Sequence, residues 1–225
     1  MNFVFDVDGT LTASRSQIDP EFASWFLQWI VDKTIYLATG SDYAKTLEQL
    51  GSDICHNITA IYNCSGNAVF VRGEMIRKND FILTPEQLQF LQKLLSDSPF
   101  ELRTGNHIEP RIGMYNFSVV GRLATKEQRA QYYNYDRISG ERETFAKLIN
   151  QTFPEIEATV GGETGIDIYT RGGDKSQIAA DVRPFVFFGD KIFPGGNDFS
   201  IAKYSEKCYN VASWHETWEI LKSNY

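Results

Sequence analysis

Two short apolar runs near opposite ends of the 225-residue chain restrict the fold most. Residues 2–7 read Asn-Phe-Val-Phe-Asp-Val, and residues 185–188 read Phe-Val-Phe-Phe before Gly189-Asp190. Such β-prone runs read as buried strands. Between them, near the N-terminus, Asp19-Pro20 supplies a helix N-cap followed by proline at the first helical position. Phe22, Trp25, Phe26, Trp29 and Ile30 then fall on one helical face. Residues 34–38 read as a second strand and residues 42–50 as a helix stopped by Gly51. Residues 59–62 read as a third strand. Strand alternating with helix is the pattern of a parallel sheet with helices on its faces.

The rhythm changes after that. Residues 69–72 and 75–78 flank Gly73-Glu74 and suggest a hairpin. Thr84 and Thr125 each open a helix with a glutamine three residues on, the capping-box spacing. Residues 101–104 and 112–120 read as strands, 140–151 as a helix, and 156–160 and 165–169 as two more strands around Gly161-Gly162. From Asp174 the α/β alternation resumes: a helix over 175–182, the 185–188 strand, a helix near Asn197-Asp198, a short strand at 209–211 and a last helix bearing Trp214, Trp218 and Leu221. The four tryptophans, at helical spacing, read as core. The expected architecture is a doubly wound, Rossmann-like α/β core, residues 1–80 and 170–225, interrupted by an α+β cap, residues 81–169.

Composition narrows the function. A hydrophobic share of 42% with 23% charged residues is globular. A net charge of −7 makes a poor general binder of nucleic acid or anionic membrane, although clustered arginines can still take phosphate. Three cysteines, Cys55, Cys64 and Cys208, with no close pair, argue against a disulfide scaffold or a structural zinc site. The opening residues lack the apolar stretch of a secretion signal. The apolar stretch 22–31 is too short to span a bilayer. A cytoplasmic location is the expectation.

The chemistry-bearing residues sit at strand ends, where open α/β sheets bind ligands. Asp6 and Asp8, two apart, would share a face of a continuing strand and repel each other unless a cation intervened. Oxygen-only ligands suit Mg²⁺. A bare Asp-x-Asp is, however, equally a solvated strand end. Asp190 and Asp198 flank a glycine-rich turn at another strand end. Lys175 opens a helix, against the sign of its dipole. Thr39-Gly40-Ser41 offers hydroxyls and amides suited to phosphate oxygens.

Taken in order, Asp6-Val7-Asp8-Gly9-Thr10-Leu11-Thr12, Thr39, Lys175 and Gly189-Asp190…Asn197-Asp198 resemble the four signatures of the haloacid dehalogenase superfamily. The stretches 6–15, 40–51 and 189–198 resemble, within it, the eukaryotic-type phosphomannomutases, and the likeness covers most of the chain. The resemblance implies Asp6 as the nucleophile of an aspartyl-phosphate mechanism, Asp8 as general acid and then base, and Lys175 and Thr39 steadying nucleophile and phosphoryl oxygens. It implies Mg²⁺ held by the Asp6 carboxylate, the Asp8 carbonyl and Asp190, with Asn197 and Asp198 behind them. It further implies that Arg15, Arg111, Arg122 and Arg129, with Asp167, hold a sugar phosphate. A hexose 1,6-bisphosphate activator and a homodimer formed through the cap belong to the same expectation, as does the absence of nucleic-acid and membrane partners.

The chain departs from that pattern in three places. Gly165 stands where the family's Gly-Gly-x-x-Ser-x-Asp stretch has serine, Gly173 stands where a tryptophan is expected, and Cys64-Ser65-Gly66-Asn67 replaces Glu-Asn-Gly. The retained arginines favour a mutase interconverting hexose 1-phosphate and hexose 6-phosphate. Gly165 and Gly173 favour the alternative, a phosphatase acting on a small phosphorylated metabolite. A phospho-receiver shares Asp, Thr, Lys and Mg²⁺ but carries its acceptor on a mid-domain strand and needs no large insertion.

Overall fold

Phe5 sits at the centre of the larger sheet, wholly buried, its ring stacked 4.9 Å from Phe188 of the neighbouring strand. In the computed structural model, which describes residues 1–225, the chain divides into two compact units. One is Met1–Asn79 with Asp174–Tyr225 and the other is Asp80–Gly173. The first unit is a seven-stranded sheet in the order Lys207–Asn210, Phe185–Gly189, Asn2–Phe5, Thr34–Ala38, Ala60–Asn63, Ala68–Val71, Glu74–Lys78. The first five are mutually parallel, and the last two fold back as an antiparallel hairpin that extends the sheet.

Alternation along the central strands divides their side chains between two cores, as the period of two requires. Phe3, Phe5, Val186 and Phe188 join Phe22, Phe26, Ile54 and Leu221 on one face. Val4, Phe185 and Phe187 join Ile178, Val182 and Ile201 on the other. This explains why these strands read as unbroken apolar runs. Each fully buried large side chain contributes about 1.5–3 kcal/mol. The helices Pro20–Trp29, Tyr43–Asn57 and Trp214–Asn224 cover the first face, with Trp214 stacked on Phe22 at 5.7 Å. The tryptophans do belong to core packing.

The second unit pairs a four-stranded antiparallel sheet, ordered Ile108–Arg111, Met114–Phe117, Gly165–Thr170, Ile156–Gly161, with the helices Pro85–Asp97, Lys126–Ser139 and Glu141–Thr152. Phe117, Ile166 and Ile168 from the sheet meet Leu91, Tyr132, Phe145 and Ile149 from the helices. Both threonine capping boxes form, at Thr84 with Gln87 and at Thr125 with Gln128.

Four expectations need correction. Gly51 does not end its helix. It kinks it, with φ 79°, and the chain turns on to Asn57 because Ile54 and Cys55 continue the buried face. Residues 101–104 form no strand. The single strand expected over 112–120 is a hairpin of Ile108–Arg111 and Met114–Phe117, turning at Ile112-Gly113, where Gly113 takes φ 66°. Finally, the strand expected over residues 2–7 stops at Phe5, so Asp6 and Asp8 do not share a strand face.

No helix is long and apolar enough to cross a membrane. All three cysteines are free, Cys55 and Cys64 buried and Cys208 exposed.

Candidate active site

The first strand lies between Phe185–Gly189 and Thr34–Ala38. Crossovers run in opposite directions on its two sides, so its carboxyl end is a topological switch point. Asp6 leaves the strand there, its backbone N–H still bonded to the Phe188 carbonyl at 2.9 Å. Asp190 follows the neighbouring strand, and Thr39 follows Thr34–Ala38 on the other side.

Lys175 brings these ends together. Its ammonium, 1% exposed, donates to Asp6 Oδ1 and to Asp198 Oδ1, both at 2.6 Å. Burial alone would lower the lysine pKa, but the charges of Asp198 and Asp6 outweigh it and hold the group above its ordinary value. Asp6 is pushed well above the usual carboxylate range, first by burial and then by the charge of Asp198, with Lys175 opposing. Asp190 is also raised, chiefly by burial. Asp6, Asp190 and Asp198 each offer an oxygen within 4.8 Å of the others. Gly9 makes the cluster possible: a side-chain carbon there would lie 2.5 Å from Asp190 Oδ2.

The donor set fits a hard cation. Every candidate ligand is oxygen. The buried Asp190 Oδ1 and Asn197 Oδ1 have no hydrogen-bond partner, and such orphans ask for a ligand or an ion. Asp198 differs, because both its oxygens are taken, Oδ1 by Lys175 and Oδ2 by the Lys191 N–H at 3.2 Å. Asp6 and Asp190 are therefore the better direct ligands, and Asp198 is the anchor of Lys175.

Asp8 is held apart from this cluster. Its Oδ1 accepts the Arg15 backbone N–H at 2.6 Å and the Gln49 amide at 3.0 Å. Arg15, expected only as a phosphate contact, thus serves Asp8 through its backbone, while its side chain is exposed. Thr39 is 1% exposed, and its carbonyl accepts the Ser65 N–H at 2.9 Å. The Cys64-Ser65 turn adopts left-handed φ values of 50° and 60° to make that contact and the one from the Cys64 N–H to the Ser41 carbonyl.

In the second unit, Arg111 and Arg122 meet on one carboxylate that the sequence reading did not single out. Glu109 Oε2 lies 2.7 Å from Arg111 Nη2 and 3.1 Å from Arg122 Nε. Burial would raise the Glu109 pKa, but Arg111 and then Arg122 outweigh it and hold the group below its usual range. Arg122 is lowered by burial and by the like charge of Arg111. Gly121 delivers Arg122 to this place with φ 87°, where a side-chain carbon would sit 1.8 Å from the Thr104 carbonyl oxygen. Arg122 also donates to Asn116 Oδ1 at 3.2 Å, and Asn116 donates to Asp167 Oδ1 at 2.7 Å. The Asn116 amide lies where a side chain on Gly165 would begin, 2.5 Å from that carbon. Arg129 stands on a separate partner, Glu163, at 3.0 Å.

A scan against protein families matches residues 25–225 to the eukaryotic phosphomannomutase family. The phosphomannomutase of Dendrobium officinale is 31% identical, over 99% of this chain and 93% of its own length. That of Drosophila melanogaster is 33% identical over 88% and 84%. The chain belongs to the eukaryotic phosphomannomutase family. It is an enzyme with phosphomannomutase-like function. Among solved structures, a Plasmodium falciparum IMP-nucleotidase shares the fold with TM-score 0.68 at 16% identity, over 99% of this chain and 67% of that one. A subclass IIB sugar phosphatase shares it with TM-score 0.58 at 17% identity, over 92% and 85%.

Glu109, Asn116, Gln49 and Lys191 are the site residues that sequence reasoning missed. The one signal for Gln49 was a polar residue on the buried face of its helix, beside Thr46 and Leu50.

The doubly bonded ammonium gives a direct test. Lys175→Met leaves two buried carboxylates facing each other. In metal-free buffer at neutral pH it is expected to cost about 3–5 kcal/mol, read as a lower urea midpoint. A midpoint equal to wild type would show that the ammonium does not hold the cluster.

Proposed function

We propose that the protein transfers a phosphoryl group through an aspartyl-phosphate on Asp6, interconverting hexose 1-phosphate and hexose 6-phosphate with Mg²⁺ and a hexose 1,6-bisphosphate activator. The observation that carries this reading is the buried Asp6–Lys175–Asp198 cluster with the orphaned Asp190 oxygen beside it. Asp6, the Asp8 carbonyl and Asp190 would hold the cation, with Asn197 and Asp198 behind them. When bound, Mg²⁺ offsets the repulsion between the Asp6 carboxylate and an incoming phosphate dianion.

The chain's own groups account for the rest. Lys175 fixes one Asp6 oxygen, which orients the other toward phosphorus. Attack forms the Asp6 Oδ–P bond as the bond from phosphorus to the sugar oxygen breaks, and Asp8 gives its proton to that leaving oxygen. In the reverse sense Asp8 takes the proton of an acceptor hydroxyl as its oxygen attacks the phosphorus of the acyl phosphate. Thr39 contributes its hydroxyl to the phosphoryl oxygens.

A bisphosphate intermediate needs a second anion site. The second unit offers one in Arg111, Arg122 and Arg129, with Asp167 tied to Arg122 through Asn116. Planar guanidinium groups match phosphate with bidentate bonds. A crowded guanidinium such as Arg122 gains from an arriving anion. The second reading, a phosphatase with water as acceptor, draws on Gly165, where no hydroxyl is available to the sugar.

With mannose 1-phosphate, a trace of hexose 1,6-bisphosphate and Mg²⁺, 6-phosphate product is expected to outrun free phosphate, and Asp6→Asn to abolish both. Free phosphate as the dominant product would make the protein a phosphatase.

Arg122→Ala and Arg129→Ala are expected to raise KM for hexose phosphates by about tenfold, the size of losing one charge-assisted contact, and to leave p-nitrophenyl phosphate hydrolysis nearly unchanged. Equal losses with both substrates would make these arginines structural.

The raised carboxylates predict a pH effect. Protons compete with Mg²⁺ for Asp6 and Asp190, and groups with raised pKa values keep protons to higher pH. The Mg²⁺ concentration giving half-maximal activity should therefore rise as pH falls from 8 to 6. A flat dependence would remove these two acids from the cation site.

A further inference from the structure

Gln49 is 1% exposed on the Tyr43–Asn57 helix, yet it is not used as packing. Its side-chain N–H₂ reaches across 41 residues of sequence to Asp8 Oδ1 at 3.0 Å and also donates to Thr12 Oγ1 at 3.2 Å. Its Oε1 is buried without a partner, a cost that an apolar residue at the same place would not carry. The backbone N–H of Arg15 donates to the same Asp8 oxygen at 2.6 Å, from a left-handed φ of 56° that an arginine adopts at a cost. Two donors therefore converge on Oδ1, and one of them is placed by a strained turn.

We propose that Gln49 is the positioning residue of the proton-transfer step: with the Arg15 N–H it clamps Oδ1 of Asp8, so that Oδ2 is the oxygen that carries the proton to the leaving group. The inference rests on the acid–base role proposed above for Asp8. The chemistry follows from the donor count. An oxygen that already accepts two N–H bonds is stabilised as the charged, unprotonated one, so the proton of the neutral acid resides on its partner. A carboxylic acid free to turn about its side-chain bonds would present either oxygen at random orientation. A clamp on one oxygen fixes the plane and the direction of the other, which is the positional advantage that general acid catalysis requires. The second contact, on Thr12, joins the clamp to the Val7–Thr12 turn, where the Thr12 N–H bonds the Val7 carbonyl at 3.1 Å. The amide thus ties the acid to its own loop.

A scaffold residue and a positioning residue differ in how they treat the leaving group. The test measures the burst of Asp6 phosphorylation in the full-length Mg²⁺-loaded protein with two donors. p-Nitrophenyl phosphate releases a phenolate that needs no proton, whereas hexose 1,6-bisphosphate releases a sugar oxygen that does. The variants are Gln49→Met and Gln49→Leu, side chains of similar size that cannot donate to Asp8, with Asp8→Asn alongside. The expected result is a burst with the bisphosphate slowed at least about tenfold more than the burst with the aryl phosphate, against the 10²–10⁴ that loss of the acid itself costs. The ratio of the two bursts is independent of how much of a variant is folded. Equal slowing with both donors would make Gln49 a scaffold residue and overturn the proposal, as would no slowing with either. If Asp8→Asn shows no donor dependence, the acid role of Asp8 falls and this inference with it. If Asp8→Asn shows it and both Gln49 variants do not, only the inference fails.

Discussion

A lysine ammonium with almost no access to water, bonded at 2.6 Å to both Asp6 and Asp198, is the interaction on which the candidate site depends. Charges this deep persist only in company. Lys175 opposes the upward push that burial and Asp198 give the Asp6 carboxyl, and Lys175 needs two carboxylates to remain cationic. The sheet is arranged around that mutual need. The central strand presents Asp6, its neighbour leads to Asp190 and Asp198, and the 3₁₀ turn Lys175–Ile178 supplies the ammonium. Lys175 and Lys191, the latter 3.2 Å from Asp190, still leave three carboxylates short of positive charge, and a cation is the natural complement of the remainder.

The second unit solves a similar problem with the signs reversed. Three arginines would repel one another, and glutamates keep them in place, Glu109 between Arg111 and Arg122 and Glu163 on Arg129. The acids hold the guanidinium groups in fixed directions, which lowers the ordering cost of receiving an anion. The arrangement relies on backbone more than on side chains. Gly121 lets the chain pass against the Thr104 carbonyl, and the tight Ile112-Gly113 turn folds Arg111 back beside Arg122.

What was legible in the sequence follows from locality. Phe3 to Phe5 and Phe185 to Phe188 announce buried strands because both faces of each are covered. The capping boxes at Thr84 and Thr125 are complete within four residues and formed as read. The acids at strand ends and Lys175 were legible because their spacing along the chain is itself the signature. The hairpin at 108–117 was not, because the apolar stretch 112–120 conceals a turn whose only sign is Gly113. Gly51 looked like a helix stop because a left-handed glycine is one locally, and only the burial of Ile54 and Cys55 shows that the helix continues. Gln49 and Glu109 escaped notice for another reason. Each acts by touching a residue brought near by folding: Gln49 shows locally only as a polar residue on a buried helix face, which does not name its partner, and Glu109 has no local sign at all.

The larger unit is assembled from two separated segments, and this shapes how the chain acquires its structure during synthesis. The strand Asn2–Phe5 is translated some 180 residues before one of its two neighbours, Phe185–Gly189. Until then the aromatic edge that Phe3 and Phe5 present has no partner on that side, while Asp80–Gly173, a single uninterrupted segment with its own core, has all it needs to fold first. Asp6, the proposed nucleophile, is thus translated well before its counter-ion: a chain lacking Lys175 carries Asp6 without the ammonium that holds it, and the chemistry proposed for Asp6 waits for the later segment.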